Sequence, residues 1–240
     1  MLAAVRKRLK RALLERCHLP YSPISGLTPA VFSRFRCRPR DDISLVDIGA
    51  HRGDFTLAMR KLCHVSRAVL VEPIERLAAD LRQHPDLAGY YVYDCAVGDR
   101  DGEIEMNIFG NSPYISSALP LDSSTPDLTE LAVGGSKMVR RPALTLDTIL
   151  AQTDIRSIDL MKIDVQGFED RVIKGARDAL TRTACVFMEV SFRPLYHGSA
   201  IFGDIHALMY QNGFFLGSLE PGFVTRAGEL LQADALFFRQ

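Results

Sequence analysis

The sequence predicts an α/β fold, a mostly parallel seven-stranded sheet flanked by helices. Three observations carry this. Short apolar runs alternate with amphipathic stretches from residue 43 onward, as in parallel sheets with crossover helices. The first run ends at Gly49 and Gly53, four residues apart, just ahead of a helical pattern. The chain closes on two strand-like runs joined through Pro221, Gly222 and Gly228, which fits poorly with a dehydrogenase sheet of six parallel strands.

In order, residues 43–48 read as a buried strand and 54–62 as its crossover helix. Residues 68–71 and 75–83 repeat the pair, and 90–96 give a third strand. Residues 103–109 then alternate like an exposed strand, with Ile104, Met106 and Ile108 on one face. A loop rich in Ser, Pro, Asp and Thr runs over 110–136, and a second strand over 137–145. An insertion this long is usually functional, so 103–145 is expected to be a strand-loop-strand lid on the substrate side; a loose surface loop is the alternative. The α/β pattern resumes with a helix over 146–151, a strand over 158–165, a helix over 168–174 and a strand over 184–190. A helix over 201–212, closed by Gly213, precedes the final pair at 214–218 and 233–238.

The chain has 240 residues, 47% of them hydrophobic, enough for one α/β domain and a short appendage. No apolar run approaches the length of a transmembrane helix. Five cysteines (Cys17, Cys37, Cys63, Cys95, Cys185) give an odd count without C-x-x-C spacing. That argues against a zinc site or disulfide framework and for a reducing, cytoplasmic setting. Net charge is zero, but residues 1–40 hold ten Lys or Arg against one acid, and the remaining 200 hold 19 basic against 28 acidic. Leu2, Val5, Leu9, Leu13 and Cys17 fall at helical spacing among the basic residues, a basic amphipathic helix. It is expected to pack on the domain edge, with peripheral membrane or nucleic-acid contact and organelle targeting as the alternatives. Residues 1–42 are therefore read as a basic helical extension punctuated by prolines, and 43–240 as the main domain.

The glycine turn carries the first chemistry. Without a Cβ, backbone and ligand can approach closely, and the turn is expected to point free N–H groups and a helix N-terminus at one place. No Lys-Ser/Thr pair follows Gly53, so this is not a Walker loop, and the full G-x-G-x-x-G fingerprint is absent. Asp47, an acid inside the strand, suits S-adenosylmethionine (SAM), whose ammonium and sulfonium are cationic and which has no phosphate. Glu72 ends the next strand about twenty residues on, where doubly wound folds bond a ribose hydroxyl.

The second dense stretch runs from Asp159 to Glu169. Lys162 and Asp164 are charges inside an apolar strand, two apart and hence on one face. Left unpaired they would cost about 1–3 kcal/mol each even as hydrogen-bonding groups, so they must be paired or near the open strand end. Gly167 permits a turn, and Glu169 stands in the first helical turn.

LVDIGAHRGDFT at 45–56, VEP at 71–73, DCAVGD at 94–99, TLD at 145–147, MKIDVQGFE at 161–169 and VIKGA at 172–176 resemble, in combination and order, the FkbM family of SAM-dependent methyltransferases. The resemblance covers about residues 43–240. It implies a class I (Rossmann-like) methyltransferase sheet and methyl transfer, mostly to hydroxyl oxygens of sugars or secondary metabolites. Its usual motif has Glu where Gln166 stands and commonly Asn where His51 stands, so no acid role carries over to position 166. By resemblance, Asp47, Gly49, Ala50 and Gly53 would cradle the methionine end, Glu72 the ribose, and Asp94, Ala96 and Val97 the adenine. His51 and Arg52, both potentially cationic, should point away from a cationic cofactor.

An acceptor hydroxyl must lose its proton during attack, so a base within hydrogen-bond reach is expected at the ends of the fourth and fifth strands. Asp164 ranks first, with an ion pair to Lys162 or Arg193 as its structural alternative. Glu189 ranks second. His197 has the most suitable unperturbed pKa but sits on a loop, where a single His is commonly exposed. Arg193 and Tyr196 could contact a polar or anionic substrate. Several acids close together could bind Mg²⁺. The expected acceptor is a small molecule, a carbohydrate first. An RNA or protein methyltransferase using the basic segment is the rival enzyme, though aromatics occur only near that segment's end, at Tyr21, Phe32 and Phe35, which counts against nucleic acid. A non-catalytic SAM-binding module held at a membrane is the rival from another class.

Overall fold

The computed structural model describes residues 42–122, 132, 134–225 and 227–240. The expected basic helix over 1–17, the linker up to residue 41 and part of the 110–136 loop lie outside the described residues. In chain order the strands are β1 (Asp42–Ile48), β2 (His64–Val71), β3 (Tyr91–Tyr93), β4 (Ala96–Val97), β5 (Gly102–Ile108), β6 (Lys137–Leu144), β7 (Leu160–Ile163), β8 (Cys185–Ser191), β9 (Phe214–Pro221) and β10 (Gln232–Arg239). The α-helices are α1 (Asp54–Leu62), α2 (Glu75–Gln83), α3 (Leu146–Ala151), α4 (Glu169–Lys174), α5 (Arg177–Thr181) and α6 (Phe202–Gln211).

The main sheet has seven strands in the order β3-β2-β1-β7-β8-β10-β9. β10 runs antiparallel to β8 and β9, and the remaining pairs are parallel. This is the mostly parallel sheet closed by a strand pair that the sequence predicts. A second sheet, β4-β6-β5, is made from the insertion.

Alternation along each strand sends side chains to two cores. Val46, Ile48, Val69, Val71, Met161 and Ile163 face one core, with residues from α3 to α6. Leu45, Leu70 and Leu160 face the other, with Met59 of α1 and Leu81 of α2. Both faces of the central strands are covered, which explains their nearly continuous apolar sequence. Thr145 caps α3 by accepting the Thr148 N–H, and Asp147 accepts from the N–H groups of Asp178 and Ala179 at the start of α5.

Four expectations are corrected. The run over 90–96 is two strands in two sheets: the chain leaves the main sheet after Tyr93, and Ala96–Val97 pair with β6. Both pieces are apolar, so the change of partner leaves no mark in the pattern. The strand expected over 158–165 is continuous only over Leu160–Ile163, with an isolated bridge at Ile158, and Asp164 lies beyond it. β2 begins four residues earlier than expected, because His64, Ser66 and Arg67 are exposed and look like loop. α5, five residues long, is too short to show a period and was not foreseen.

Candidate functional site

The strand order reverses between β1 and β7, and a crevice opens outside the carboxyl ends of the strands there. Gly49 adopts φ +75°, and a Cβ on it would stand 1.9 Å from the Asp164 carbonyl oxygen. The N–H groups of Gly49 and Ala50 donate to the Val71 carbonyl (2.9 and 3.0 Å), and the His51 N–H donates to Glu72 Oε2 (2.8 Å). The expectation of free N–H groups is thus corrected: the turn spends them on stitching β1 to β2. Those groups form no open anion nest, which suits a ligand without phosphate.

Beneath the turn lies a buried charge pair. Asp47 is fully buried; its Oδ2 accepts from Thr56 Oγ1 of α1 (2.7 Å), and its Oδ1 lies 3.5 Å from Lys162 Nζ. Lys162 Nζ also donates to the Gly49 carbonyl (2.8 Å) and lies 3.3 Å from Asp164 Oδ2. Burial pulls the Lys162 ammonium down, but Asp164 and Asp47 outweigh it and hold the group above its ordinary range. The ammonium therefore ties helix α1, the glycine turn and Asp164 into one unit.

Two clefts meet above it. The first, about 690 Å³ including its open mouth, lies between the glycine turn, the end of β2, β4 and the roof over Pro113–Ile115. Gly49, Glu72, Ala96, Val97 and Asp164 line it, and no Lys or Arg among the described residues does. Glu72 Oε1 accepts from the Ile74 N–H at 2.8 Å, so both oxygens are anchored, each with a lone pair left over. Burial raises the Glu72 carboxyl from its ordinary 4.5 to about 7, with its backbone donors pulling the other way.

The second cleft, about 670 Å³, adjoins the first and shares Tyr114, Asp164 and Gln166 with it. Gln166 adopts φ +56°, unusual for a side-chain-bearing residue, and Gly167 follows at +94°. Gln166 Nε2 donates to Asp164 Oδ1 (2.6 Å) and lies 3.4 Å from Glu189 Oε2; its Oε1 accepts from the Tyr196 hydroxyl (2.9 Å). Gln232 Nε2 also donates to Glu189 Oε2 (2.6 Å). An amide can donate to two acids, where a glutamate would add a third like charge. Burial, then Asp164, Glu169 and Asp234, push the Glu189 carboxyl well above its ordinary range.

Glu169 offers a clean stability test. It accepts from the Val165 and Gly167 N–H groups, and burial raises it from 4.5 to about 7. A raised folded-state pKa favours the protonated fold, so its contribution is full below about 4.5 and is lost as pH rises through about 7. Thermal melts of Glu169→Gln should show a flatter fall in stability from acid to alkaline pH than the parent, by about 1–3 kcal/mol. Parallel curves would refute this account.

The sequence candidates divide sharply. Gly49, Glu72, Ala96, Val97 and Asp164 line the first cleft, and Asp164 and Glu189 the second. Asp47, Ala50 and Gly53 do not line either; Asp47 is spent on Thr56 and Lys162, and Gly53 faces Leu81 and Leu87. Asp94 is held by Arg141 and lies outside the lining. His197 is exposed and lines neither cleft. Arg193 pairs with Glu229 on the surface, not with Asp164. Arg52 is exposed and lines neither cleft, whereas His51 lines the first cleft with Nε2 unpartnered; burial, then Arg52, lower its pKa from the usual 6.5, which favours the neutral ring. Sequence reasoning missed Tyr114 and Gln232, which sit in segments without a motif. The Mg²⁺ expectation finds no support: no group of three His, Cys, Asp or Glu placed to hold a metal occurs among the described residues.

The described part of the roof is tied to itself and to the chain beneath it. Asn107 and Ser117 exchange backbone hydrogen bonds (2.8 and 3.2 Å), Ser117 Oγ donates to the Gln166 carbonyl, and the Asp122 and His197 N–H groups donate to Leu195 and Pro120.

A family model, the methyltransferase FkbM domain, matches residues 47–216. The 2-O-methyltransferase NoeI of Sinorhizobium fredii is 27% identical over 164 residues, 66% of this chain and 68% of that one. Methyltransferase sdnD of Sordaria araneosa is 25% identical over 194 residues, 71% of this chain and 73% of that one. Among solved structures, methyltransferase FkbM from Methylobacillus flagellatus superposes with a TM-score of 0.51 at 17% identity, covering 84% of this chain but 44% of that one. That likeness bears on the fold, the class I methyltransferase arrangement.

Proposed function

We propose that this chain, which belongs to the FkbM methyltransferase family, moves a methyl group from SAM to a hydroxyl oxygen of a small molecule, a sugar or polysaccharide first and a secondary metabolite second. The carrying observation is the pair of adjoining clefts that share Asp164, Gln166 and Tyr114. The first fits SAM on its chemistry: two acids line it, no Lys or Arg among the described residues does, and the engaged N–H groups of Gly49, Ala50 and His51 offer no phosphate nest. SAM, when bound, supplies a methyl carbon already activated by its sulfonium.

In this reading Gly49 allows the close approach, Glu72 accepts from the ribose hydroxyls, and Ala96 and Val97 wall the adenine. Ala50 and Gly53 shape the turn, Asp47 acts through Lys162, and Asp94 through Arg141 braces the β4 wall. Asp164 orients the acceptor hydroxyl and takes its proton, with Glu189 as the alternative base on the same cleft. Positioning and exclusion of water supply most of the rate. The printed name of NoeI, a 2-O-methyltransferase, supports oxygen as the acceptor atom. Residues 43–240 would be the methyltransferase unit and 103–145 its inserted roof.

Calorimetry with SAM tests the cofactor assignment: binding is expected, and Glu72→Ala should weaken it at least tenfold. Because an ionised Glu72 favours a hydroxyl-rich cation, affinity should rise with pH up to about 7 and level off above it. The slope below the turning point should be about tenfold per pH unit at most, and Glu72→Gln should flatten it. No SAM binding, or binding indifferent to Glu72, would sink the assignment. Deleting residues 1–40 separates the RNA, protein and membrane readings: transfer to a small acceptor should survive it. No helix among the described residues is long and apolar enough to cross a membrane.

A further inference from the structure

The second cleft has a polarity that chooses its ligand. Three of its side-chain donors are turned inward: Gln166 Nε2 to Asp164, Gln232 Nε2 to Glu189, and the Tyr196 hydroxyl to Gln166. What remains outward is mainly carboxyl oxygen, the accepting half of a hydrogen bond, with the Tyr114 hydroxyl beside it. The charge agrees. Asp164 and Glu189 line the cleft, Glu169 and the cross-strand neighbour Asp234 add their influence on Glu189, and Lys162 is shared between Asp164 and Asp47. No Lys or Arg among the described residues lines this cleft. Apolar surface completes it. Tyr114, 52% exposed, stands where the two clefts meet, and Phe223 lies on the opposite β9–β10 turn. An aromatic face covers the C–H face of a ring, while the acids accept from the ring's edge hydroxyls.

We propose that this cleft is a charge-selective acceptor site, taking a neutral or amine-bearing polyhydroxylated ring and rejecting the same ring carrying a carboxylate or phosphate. The reason is symmetrical. A hydroxyl or ammonium brings donors to the two acids, whereas an added anion finds those acids and, among the described residues, no Lys or Arg to offset its lost water. Arg193 offers no rescue, because it is exposed and paired with Glu229. The inference rests on the methyl-transfer reading above and narrows its substrate class.

The test is ligand-observed saturation-transfer NMR on the full chain saturated with S-adenosylhomocysteine, whose binding is first measured by calorimetry. The probes are methyl glucopyranoside, methyl glucosaminide, methyl glucuronide and glucose 6-phosphate, at equal concentration near neutral pH. The expected result is signal from the neutral and amine-bearing rings, and signal roughly fivefold or more weaker from the two anions. Asp164→Asn should narrow that gap, because it removes the carboxylate beside the Lys162 ammonium while keeping shape. Equal or stronger binding of the anionic rings overturns the proposal and leaves methyl transfer standing. Binding of S-adenosylhomocysteine with no signal from any ring also overturns it. Failure of S-adenosylhomocysteine itself to bind removes the underlying reading, and the proposal falls with it.

Discussion

Gly49→Ala is expected to disable the site and destabilise the fold together. The new Cβ would stand 1.9 Å from the Asp164 carbonyl oxygen, far inside any tolerated contact; the oxygen is backbone and the Cβ position is fixed by backbone, so neither can rotate away. The backbone at φ +75° adds about 1–2 kcal/mol for any side-chain-bearing residue. The two strand ends must separate, which breaks the Asp164 N–H bond to Ile48 and shifts Asp164 itself. A loss of about 3 kcal/mol or more is expected in denaturant melts, with SAM affinity down at least tenfold by calorimetry. Gly89→Ala is the matched control: its φ is +89°, but nothing lies within 4 Å of the added Cβ. It should lose only the conformational part and bind SAM normally. Equal effects at both positions would show that contact at Gly49 is not the cause.

Lys162→Ala should be the most destabilising single charge deletion in the described structure. It strands Asp47, fully buried, with one oxygen that has no hydrogen-bond partner and only the ammonium beside it. Removing one member of a buried pair typically costs about 3–5 kcal/mol, because the survivor is left charged and unsolvated. For a chain of this size that is a fall in melting temperature of roughly 8–15 °C. The double variant Asp47→Asn with Lys162→Met should recover much of the loss, since no buried charge then lacks its partner. SAM binding by the double variant should stay weak, because nothing then holds the Gly49 carbonyl and Asp164 in register. A single variant as stable as the parent would refute the role assigned to the ammonium.

The legible parts share a physical origin. Helices α1, α2 and α3 fall at the expected residues because amphipathic spacing and local start signals are written within each segment. Glu72, Asp164 and Glu189 were identifiable as acids at strand ends, and strand ends meet at one edge of any parallel sheet. Asp47 shows the opposite case. Its spacing from Gly49 suggested ligand contact, yet its side chain leaves on the Leu45 face toward α1, where Thr56 and Lys162 take it. Asp94 failed likewise, because its partner Arg141 arrives from a strand 47 residues away.

By itself the sequence determined the sheet class, the glycine turn, the family and the acids available to a site, since periodicity, turn chemistry and motif order are local properties of the chain. Only the tertiary structure decided which acids face a cleft and which are spent on cations, that the turn's N–H groups are already engaged, and that Tyr114 and Gln232 join Asp164 and Glu189. Those outcomes depend on contacts between residues distant in sequence, and an acid's role is set by whichever partner the fold brings to it.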